Sequence, residues 1–182
     1  MKKLIRSLSV LPAIFMLLLI FGFSAQDGDT SGSLSFRISL ALVRICDRVF
    51  SLDYTDAELL TNAESIGLFV RKAAHMTEYF LLTLSIYLPL WVLLPKKPEN
   101  DTSQTETFLK RYLLPTFLLS VLLAALDEFH QSFVPGRCGT PVDVMIDSVG
   151  IFIGCMVLVF CHRCIQKKRR RDRASHLCDN PH

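Results

Sequence analysis

Several ionisable residues lie where apolar segments of the chain begin or end, and their types suit binding or acid–base chemistry. Asp127 and Glu128 close one apolar segment, Asp143 opens another, and His75 and Glu78 open a third. Charged groups at the ends of membrane-length apolar segments are costly unless they meet polar partners, and they often mark functional sites. Carboxylates with one imidazole could bind a polar ligand, transfer protons or hold a cation.

Helical spacing predicts that these residues share faces. Residues three, four or seven apart lie on one side of a helix. The sets with this spacing are Arg71 with His75 and Glu78, Asp127 with Gln131, and Asp143 with Asp147, Gly150 and Gly154. The two glycines would allow close approach of a neighbouring helix. Crowded acids in a partly dry site cannot all ionise freely, so we expect at least one raised carboxyl pKa.

Four apolar stretches would position these groups. The chain has 182 residues, enough for one domain, and 51% of them are hydrophobic. The stretches without acidic or basic residues are Leu8–Phe23, Tyr79–Leu94, Tyr112–Leu126 and Ser148–Cys161. Because a spanning helix needs about 20 residues, we extend them to spans of about 6–24, 74–94, 111–131 and 143–163. We therefore predict an all-α integral membrane protein with four transmembrane helices in a compact bundle.

Basic residues predict the orientation of the bundle. They precede the first stretch, lie between the second and third, and follow the fourth; they are Lys2, Lys3, Arg6, Lys96, Lys97, Lys110, Arg111, Arg163, Lys167, Lys168, Arg169, Arg170, Arg171 and Arg173. The positive-inside rule then places both termini in the cytoplasm of a multi-pass cell-membrane protein. Residues 1–166 would form the transmembrane domain, and 167–182 a disordered basic cytoplasmic tail. We favour a lipid-facing anchor over nucleic-acid binding for this tail, and expect no nucleic-acid partner.

The first stretch has a second interpretation. A basic start, an apolar core and small residues at Gly22 and Ser24 also fit a cleaved signal peptide. Cleavage would leave three spans and an exterior N-terminus. We prefer a retained helix, because the apolar core is long for a signal peptide.

The region between the first two spans reads as an extracytoplasmic helical loop. Residues 24–33 are polar and Gly-rich, which predicts a loop. Residues 34–50 are amphipathic, which fits a helix in the outer membrane interface or one packed on top of the bundle. Thr55 and Glu58 form a capping-box pattern that would start a short helix, and Asn62 or Ser65 could cap the next one. Residues 95–104 predict a hydrophilic cytoplasmic turn.

Counting about 20 residues inward from each basic flank puts the ionisable groups of three helices at one depth, near the outer surface. The energetically favourable arrangement turns the charged faces of these three helices toward one another, around one polar pocket that opens to the exterior. The predicted binding residues are Ser24, Gln26, Arg71, Lys72, His75, Glu78, Asp127, Glu128, Gln131, Arg137, Asp143 and Asp147.

The order and spacing of these motifs resemble a known family. Residues 71–79 read R-K-A-A-H-M-T-E-Y, residues 127–137 read D-E-F-H-Q-S-F-V-P-G-R, and residues 143–150 fit D-x-x-x-D-x-x-G. Together with F-S-x-Q at 23–26, they resemble the VanZ-like family of bacterial membrane proteins over about residues 8–160. The resemblance implies a four-helix membrane protein of the cell envelope. It also implies a possible link to reduced susceptibility to teicoplanin, a lipid-tailed glycopeptide. Its motif positions add Tyr79, Phe133, Pro135, Gly136 and Gly150.

Each sharper interpretation of these residues has a simpler alternative. His75, Glu78, Asp127, Glu128 and Asp147 could hold a divalent metal, but His75 bonded to a carboxylate is the simpler expectation. We therefore expect no cofactor. A second zinc-like pattern, made by Cys161, Cys164, His176 and Cys178, lies at a membrane boundary and in the basic tail, which argues against zinc.

Arg137 follows a Pro-Gly turn and presents a planar fork of donors. It suits a phosphate or carboxylate ligand, or an internal salt bridge to Asp127 or Asp143. The sequence leaves these two interpretations equal.

Three function classes remain open. The first is a binding protein for a lipid headgroup, a lipid-linked wall precursor or a lipoglycopeptide. The second is an intramembrane enzyme acting on a lipid headgroup, for which Glu78, Asp127, Glu128 and His75 are the catalytic candidates. The third, ion-coupled transport, ranks last because no polar track crosses the apolar stretches. The sequence does not specify the oligomeric state.

Overall fold

The computed structural model describes residues 6–94 and 104–178. All regular elements in these ranges are helical, which confirms the all-α prediction. We number the α-helices α1 (Leu11–Ser24), α2 (Gly28–Phe50), α3 (Asp56–Leu93), α4 (Gln104–Phe108), α5 (Leu114–Gln131) and α6 (Pro141–Cys178), and a π-helical turn, Leu109–Leu113, joins α4 to α5.

Four helical segments are long and apolar enough to cross a membrane. They are Arg6–Ser24, Asp56–Leu93, Thr105–Gln131 and Pro141–Arg169. Large apolar side chains such as Leu18, Leu122 and Phe160 are more than half exposed on the bundle surface. An apolar exterior is costly in water but suits contact with lipid, so the fold is a multi-pass membrane bundle.

The connection between α1 and α2 is shorter than predicted. The polar segment 28–33 belongs to α2, which begins at Gly28 rather than near residue 34. Asp27 caps this helix, because its carboxylate accepts a hydrogen bond from the backbone N–H of Thr30 at 2.6 Å. The cap explains the difference, since it stabilises a helical start that the Gly-rich composition obscured.

Helix α3 is a single rod, not the two helices predicted. Thr55 and Glu58 form the expected capping box at its start. Asn62 and Ser65 lie inside the helix, and no second helix begins at either of them. Its 38 residues make it about 57 Å long, against about 30 Å for the hydrocarbon core of a bilayer. Part of α3 therefore extends beyond that core.

Helix α2 packs on the first half of α3. Val43 of α2 meets Leu59 and Ala63 of α3 in a small apolar core. Ser35 and Ser39 share the buried face of α2, whereas the basic residues Arg37, Arg44 and Arg48 are exposed. Of the two placements considered for this helix, packing against the bundle is thus present in the structure.

The last long helix is longer than predicted. We expected the fourth span to end near residue 163 and the tail from 167 to be disordered. Helix α6 instead continues to Cys178, because its basic and polar residues are good helix formers that extend an established helix. Residues 95–103 of the turn predicted at 95–104, and the final residues 179–182, lie outside the described residues.

The membrane bundle is centred on one apolar core. Tyr79, Leu82 and Ile86 of α3 meet Ala124 of α5 and Ile151 of α6 there, with α1 packed alongside. A side chain at Gly150 would collide with the backbone of Met76, and one at Gly154 would crowd Thr83. The glycines of α6 therefore allow the close contact with α3 that their spacing predicted.

Candidate functional site

A cavity of about 150 Å³ lies between α3, α5 and α6 under the loop of residues 132–140. It is at the end of the bundle opposite to Lys110 and Arg163. Its lining is mostly polar and comprises Leu68, Arg71, Lys72, His75, Glu128, Gln131, Gly136, Arg137, Cys138, Asp143, Ile146 and Asp147. We call this cavity the pocket.

The lining residues differ in depth. Glu128, Gln131 and Asp147 are buried, and we call these three the floor. Four charged residues keep partial exposure, and we call them the rim; they are Arg71, Lys72, Arg137 and Asp143. The pocket therefore has three cations near its opening and two carboxyl groups at its base.

A buried hydrogen-bond network lies behind the floor. The Ser24 hydroxyl donates to Asp127 Oδ2 at 2.8 Å. Gln131 Nε2 donates to the same oxygen at 3.0 Å, and approaches Ser24 Oγ at 3.2 Å and Glu128 Oε1 at 3.4 Å. Asp127 is fully buried. The network joins α1 to α5, because Ser24 is the last residue of α1 and the other three residues belong to α5.

Two backbone contacts fix the loop that covers the pocket. Glu128 Oε2 accepts the Thr140 backbone N–H at 3.1 Å, which holds the loop's end against α5. The Gly28 N–H donates to the Pro135 carbonyl at 3.0 Å, which ties the α1–α2 connection to the same loop. Gly136 has a φ of +71°, a conformation that glycine adopts without strain, and its backbone touches Gly28.

Arg137 lies on this loop and reaches back over the network. Its Nη1 donates to Gln131 Oε1 at 3.2 Å, and its Nη2 donates to the Phe23 carbonyl at 3.0 Å. Its Nε is buried and has no partner among the described residues. Burial, reinforced by the charge of nearby Arg71, lowers the pKa of the Arg137 guanidinium. Two guanidinium groups on one small cavity repel each other unless an anion lies near both.

Lys72 and Asp143 neutralise each other at the rim. Lys72 Nζ lies 2.5 Å from Asp143 Oδ1, and each side chain is about one-third exposed. Thr140 supports this pair, since its hydroxyl donates to Asp143 Oδ2 at 2.8 Å and accepts the Asp143 N–H at 3.2 Å. Arg71 donates through Nε to Ser35 Oγ of α2 at 3.4 Å, which leaves its two terminal nitrogens for other partners.

Some buried polar atoms at the site have no partner within residues 6–94 and 104–178. Asp147 is 2% exposed, and its Oδ2 accepts no hydrogen bond there. The Tyr79 hydroxyl and Asp127 Oδ1 are also buried, and these two groups lie close to each other. His75 Nδ1 is also unpartnered, and Glu78 Oε2 is 3.9 Å from it, beyond hydrogen-bond range. Buried polar groups are rarely left unsatisfied, so such a cluster calls for an external partner.

Comparison with known families decides the family of this chain. A family model described as VanZ/LLP1 matches residues 9–162. The chain belongs to the VanZ family. The match covers most of the chain, the greater part of all four membrane helices and every residue of the pocket. Neither the search of curated proteins nor the search of solved structures found a match.

The VanZ motif residues predicted as a site mostly converge, although their roles remain predictions. Eight of the twelve line the pocket, namely Arg71, Lys72, His75, Glu128, Gln131, Arg137, Asp143 and Asp147. Ser24 and Asp127 lie in the network behind it. Glu78 neighbours His75 but does not line the pocket, and Gln26 lies outside it. These two residues therefore have no direct position for contact with a ligand in the pocket.

The sequence interpretation missed two supporting residues. Thr140 holds the Asp143 and Glu128 carboxylates, and its Thr-Pro-Val-Asp spacing is a helix-start pattern that could have revealed it. Ser35 contacts Arg71 from α2, and no local signal in the sequence identifies that contact. Cys138, which is not among the predicted binding residues, also lines the pocket.

Within the described residues, the predicted metal ligands do not form one group. In the part of the chain that the structure describes, no three His, Cys, Asp or Glu side chains are grouped so that they could hold one metal ion. This applies to the earlier candidates His75, Glu78, Asp127, Glu128 and Asp147. It applies equally to Cys161 and Cys164, near the opposite end of the bundle.

Proposed function

We propose that this VanZ protein acts at the cell envelope by binding a polar headgroup in the pocket. The ligand would be a lipid, a lipid-linked wall precursor or a lipoglycopeptide such as teicoplanin. The observation that carries the proposal is the pocket itself, where two guanidinium groups and an unpartnered buried carboxylate face one small cavity. Such a site binds polar groups in preference to hydrocarbon.

The depth of the pocket supports a headgroup as the ligand. About 20 residues back from the end of α3 at Leu93 reach His75, so a bilayer core matched to this segment ends near the pocket. Arg71 and Lys72 would then lie in the headgroup layer. Lipid phosphates are concentrated at this depth, and basic side chains near membrane surfaces favour them.

The charge distribution supports an outward-facing pocket. Lys110, Arg111 and Arg163 lie at the opposite end of the bundle, with the basic residues after Arg163. Under the positive-inside rule that end is cytoplasmic, and the pocket then opens on the extracytoplasmic side, where wall precursors and antibiotics are found. Reduced teicoplanin susceptibility would follow if the pocket bound the drug or altered its target.

An intramembrane enzyme that modifies a headgroup is the second candidate. The observation that favours it is that His75 and the unpartnered carboxyl of Asp147 line the same pocket, with Glu78 3.9 Å from His75. An imidazole and carboxyl groups in one site could transfer protons to and from a bound ligand. The distance between His75 and Glu78 would need to shorten on ligand binding for this role.

Pocket variants test the proposal. Arg137→Gln removes a rim cation, and Arg44→Gln is the matched control because Arg44 is exposed on α2 away from the pocket. We expect Arg137→Gln, but not Arg44→Gln, to lower the amount of lipid that co-purifies with the protein and to abolish any protection against teicoplanin. Unchanged lipid retention and unchanged susceptibility in Arg137→Gln would refute the proposal. Altered lipid species in cells expressing the wild type would favour the enzyme.

A further inference from the structure

The charges of the pocket are separated by depth, and this separation restricts the chemistry of the ligand. Lys72 and Asp143 cancel each other at the rim, so Arg71 and Arg137 are the rim charges without a carboxylate partner in the described ranges. On the floor, Glu128 accepts the Thr140 N–H, whereas Asp147 Oδ2 accepts nothing. The rim thus favours an anionic group of the ligand, and the floor favours a hydrogen-bond donor.

A cationic donor fits the floor better than a neutral one. Asp147 is 2% exposed, so water competes weakly for its carboxylate. Asp127 and Glu128 lie close enough to interact electrostatically with Asp147, so a cation bound at Asp147 would be attracted to all three acids. A primary ammonium supplies three N–H donors as well as a positive charge. It could therefore satisfy Asp147 and balance the surplus of carboxylates.

The size of the pocket limits how much of a ligand it can enclose. A volume of about 150 Å³ encloses a short phosphate-and-amine group, but only part of a disaccharide or of a folded peptide. The anionic part would contact the guanidinium groups of Arg71 and Arg137, which suit phosphate oxygens.

We propose that the pocket selects a zwitterionic aminoalkyl phosphate, with its phosphate on Arg71 and Arg137 and its primary ammonium on Asp147. This rests on the proposed headgroup-binding function and specifies its ligand class. The same chemistry occurs in an ethanolamine phospholipid and in free phosphoethanolamine. A glycerol phosphate headgroup offers Asp147 only neutral hydroxyl donors, and a phosphocholine group offers it no N–H donor.

Competition among soluble headgroups tests the inference on the full-length protein in detergent. Phosphoethanolamine, phosphocholine and sn-glycerol 3-phosphate are compared by titration calorimetry. Because a hydrogen bond to a charged group contributes about 1.5–3 kcal/mol, phosphoethanolamine should bind about tenfold or more tightly than the other two. Asp147→Asn should remove this preference, Arg137→Gln should weaken all three, and the exposed-site control Glu64→Gln should change nothing.

A second experiment distinguishes a membrane lipid from a soluble compound as the source of the ligand. The protein is placed in nanodiscs that contain phosphatidylethanolamine or phosphatidylglycerol, and bound lipid is measured by native mass spectrometry. Preferential retention of phosphatidylethanolamine identifies a membrane lipid, whereas binding of phosphoethanolamine alone identifies a soluble ligand; either supports the inference.

The outcomes separate the two proposals. Equal binding of glycerol phosphate and phosphoethanolamine overturns the zwitterion inference and leaves headgroup binding intact. Absence of binding by every compound and lipid overturns both. The wild-type comparison needs no variant, so an Asp147→Asn protein that failed to fold would not prevent a decision.

Discussion

The hydroxyl of Ser24 donates a hydrogen bond to the buried carboxylate of Asp127, 103 positions further along the chain. This contact links the end of α1 to the end of α5 directly behind the pocket floor. Gln131 shares the same carboxylate oxygen and in turn accepts from Arg137. The position of a rim cation therefore depends on a buried network that reaches the first helix.

Removal of the Ser24 hydroxyl should destabilise the bundle. Ser24→Ala takes one donor from a fully buried carboxylate, and loss of such a partner costs about 1–3 kcal/mol. Thermal unfolding in detergent measures the effect. Ser65→Ala, at an exposed position of α3, is the control and should stay within about 0.5 kcal/mol of the wild type. Equal effects of the two substitutions would contradict a structural role for the network.

A methyl group at Gly150 should disrupt the contact between α3 and α6. The added carbon would overlap the Met76 backbone, which cannot move as a side-chain tip can. Gly150→Ala should therefore lower stability by about 1–3 kcal/mol, whereas Gly22→Ala, which meets nothing within 4 Å, should be close to neutral. A stable Gly150→Ala protein with normal unfolding would show that the helices are further apart than described.

The cap of α2 should depend on pH. Hydrogen bonds from Thr30 lower the pKa of Asp27, because they favour its ionised form. The cap is therefore complete above the ordinary Asp pKa of about 3.9, and it is lost as pH falls through the lowered folded-state pKa. Hydrogen exchange of residues 28–31 should accelerate at that acidic end, relative to the intrinsic rate. Asp27→Asn, which keeps an acceptor without titrating, should not show this acceleration.

Two exposed cysteines test the orientation of the bundle. Cys138 lies at the pocket, and Cys164 lies near the opposite end of the bundle. In variants that keep only one of these cysteines, a membrane-impermeant maleimide should label Cys138 in intact cells and Cys164 only after permeabilisation. The reverse pattern would place the pocket in the cytoplasm and exclude its direct contact with external antibiotic.

The sequence predicted the helices through the pattern of charge and hydrophobicity, which long apolar segments make unambiguous. The boundaries of α2 and α3 were harder to predict. Gly28–Ser33 look like a loop until Asp27 caps them, and Asn62 and Ser65 resemble caps although the helix continues through them. The same local composition is compatible with a helix boundary or with a continuous helix, and tertiary packing decides which of the two forms.

The clustering of the site residues could be predicted, because the face and the depth of each residue follow from the sequence of its own helix. The pairings could not be predicted, because they depend on helix rotation and on the loop of residues 132–140. Arg137 was expected to meet either a ligand or one of two acids, yet it donates to Gln131 and to the Phe23 carbonyl. The pairing of Lys72 with Asp143 likewise follows from the rotation of α6 against α3.

The most direct test of the account is an experimental structure of the protein in nanodiscs made from bacterial lipid. The account predicts density in the pocket for a small headgroup that contacts Arg137 and Arg71 at the rim and Asp147 on the floor. A pocket that contains only water, with Arg137 turned away and Asp147 hydrogen-bonded within the protein, would contradict it.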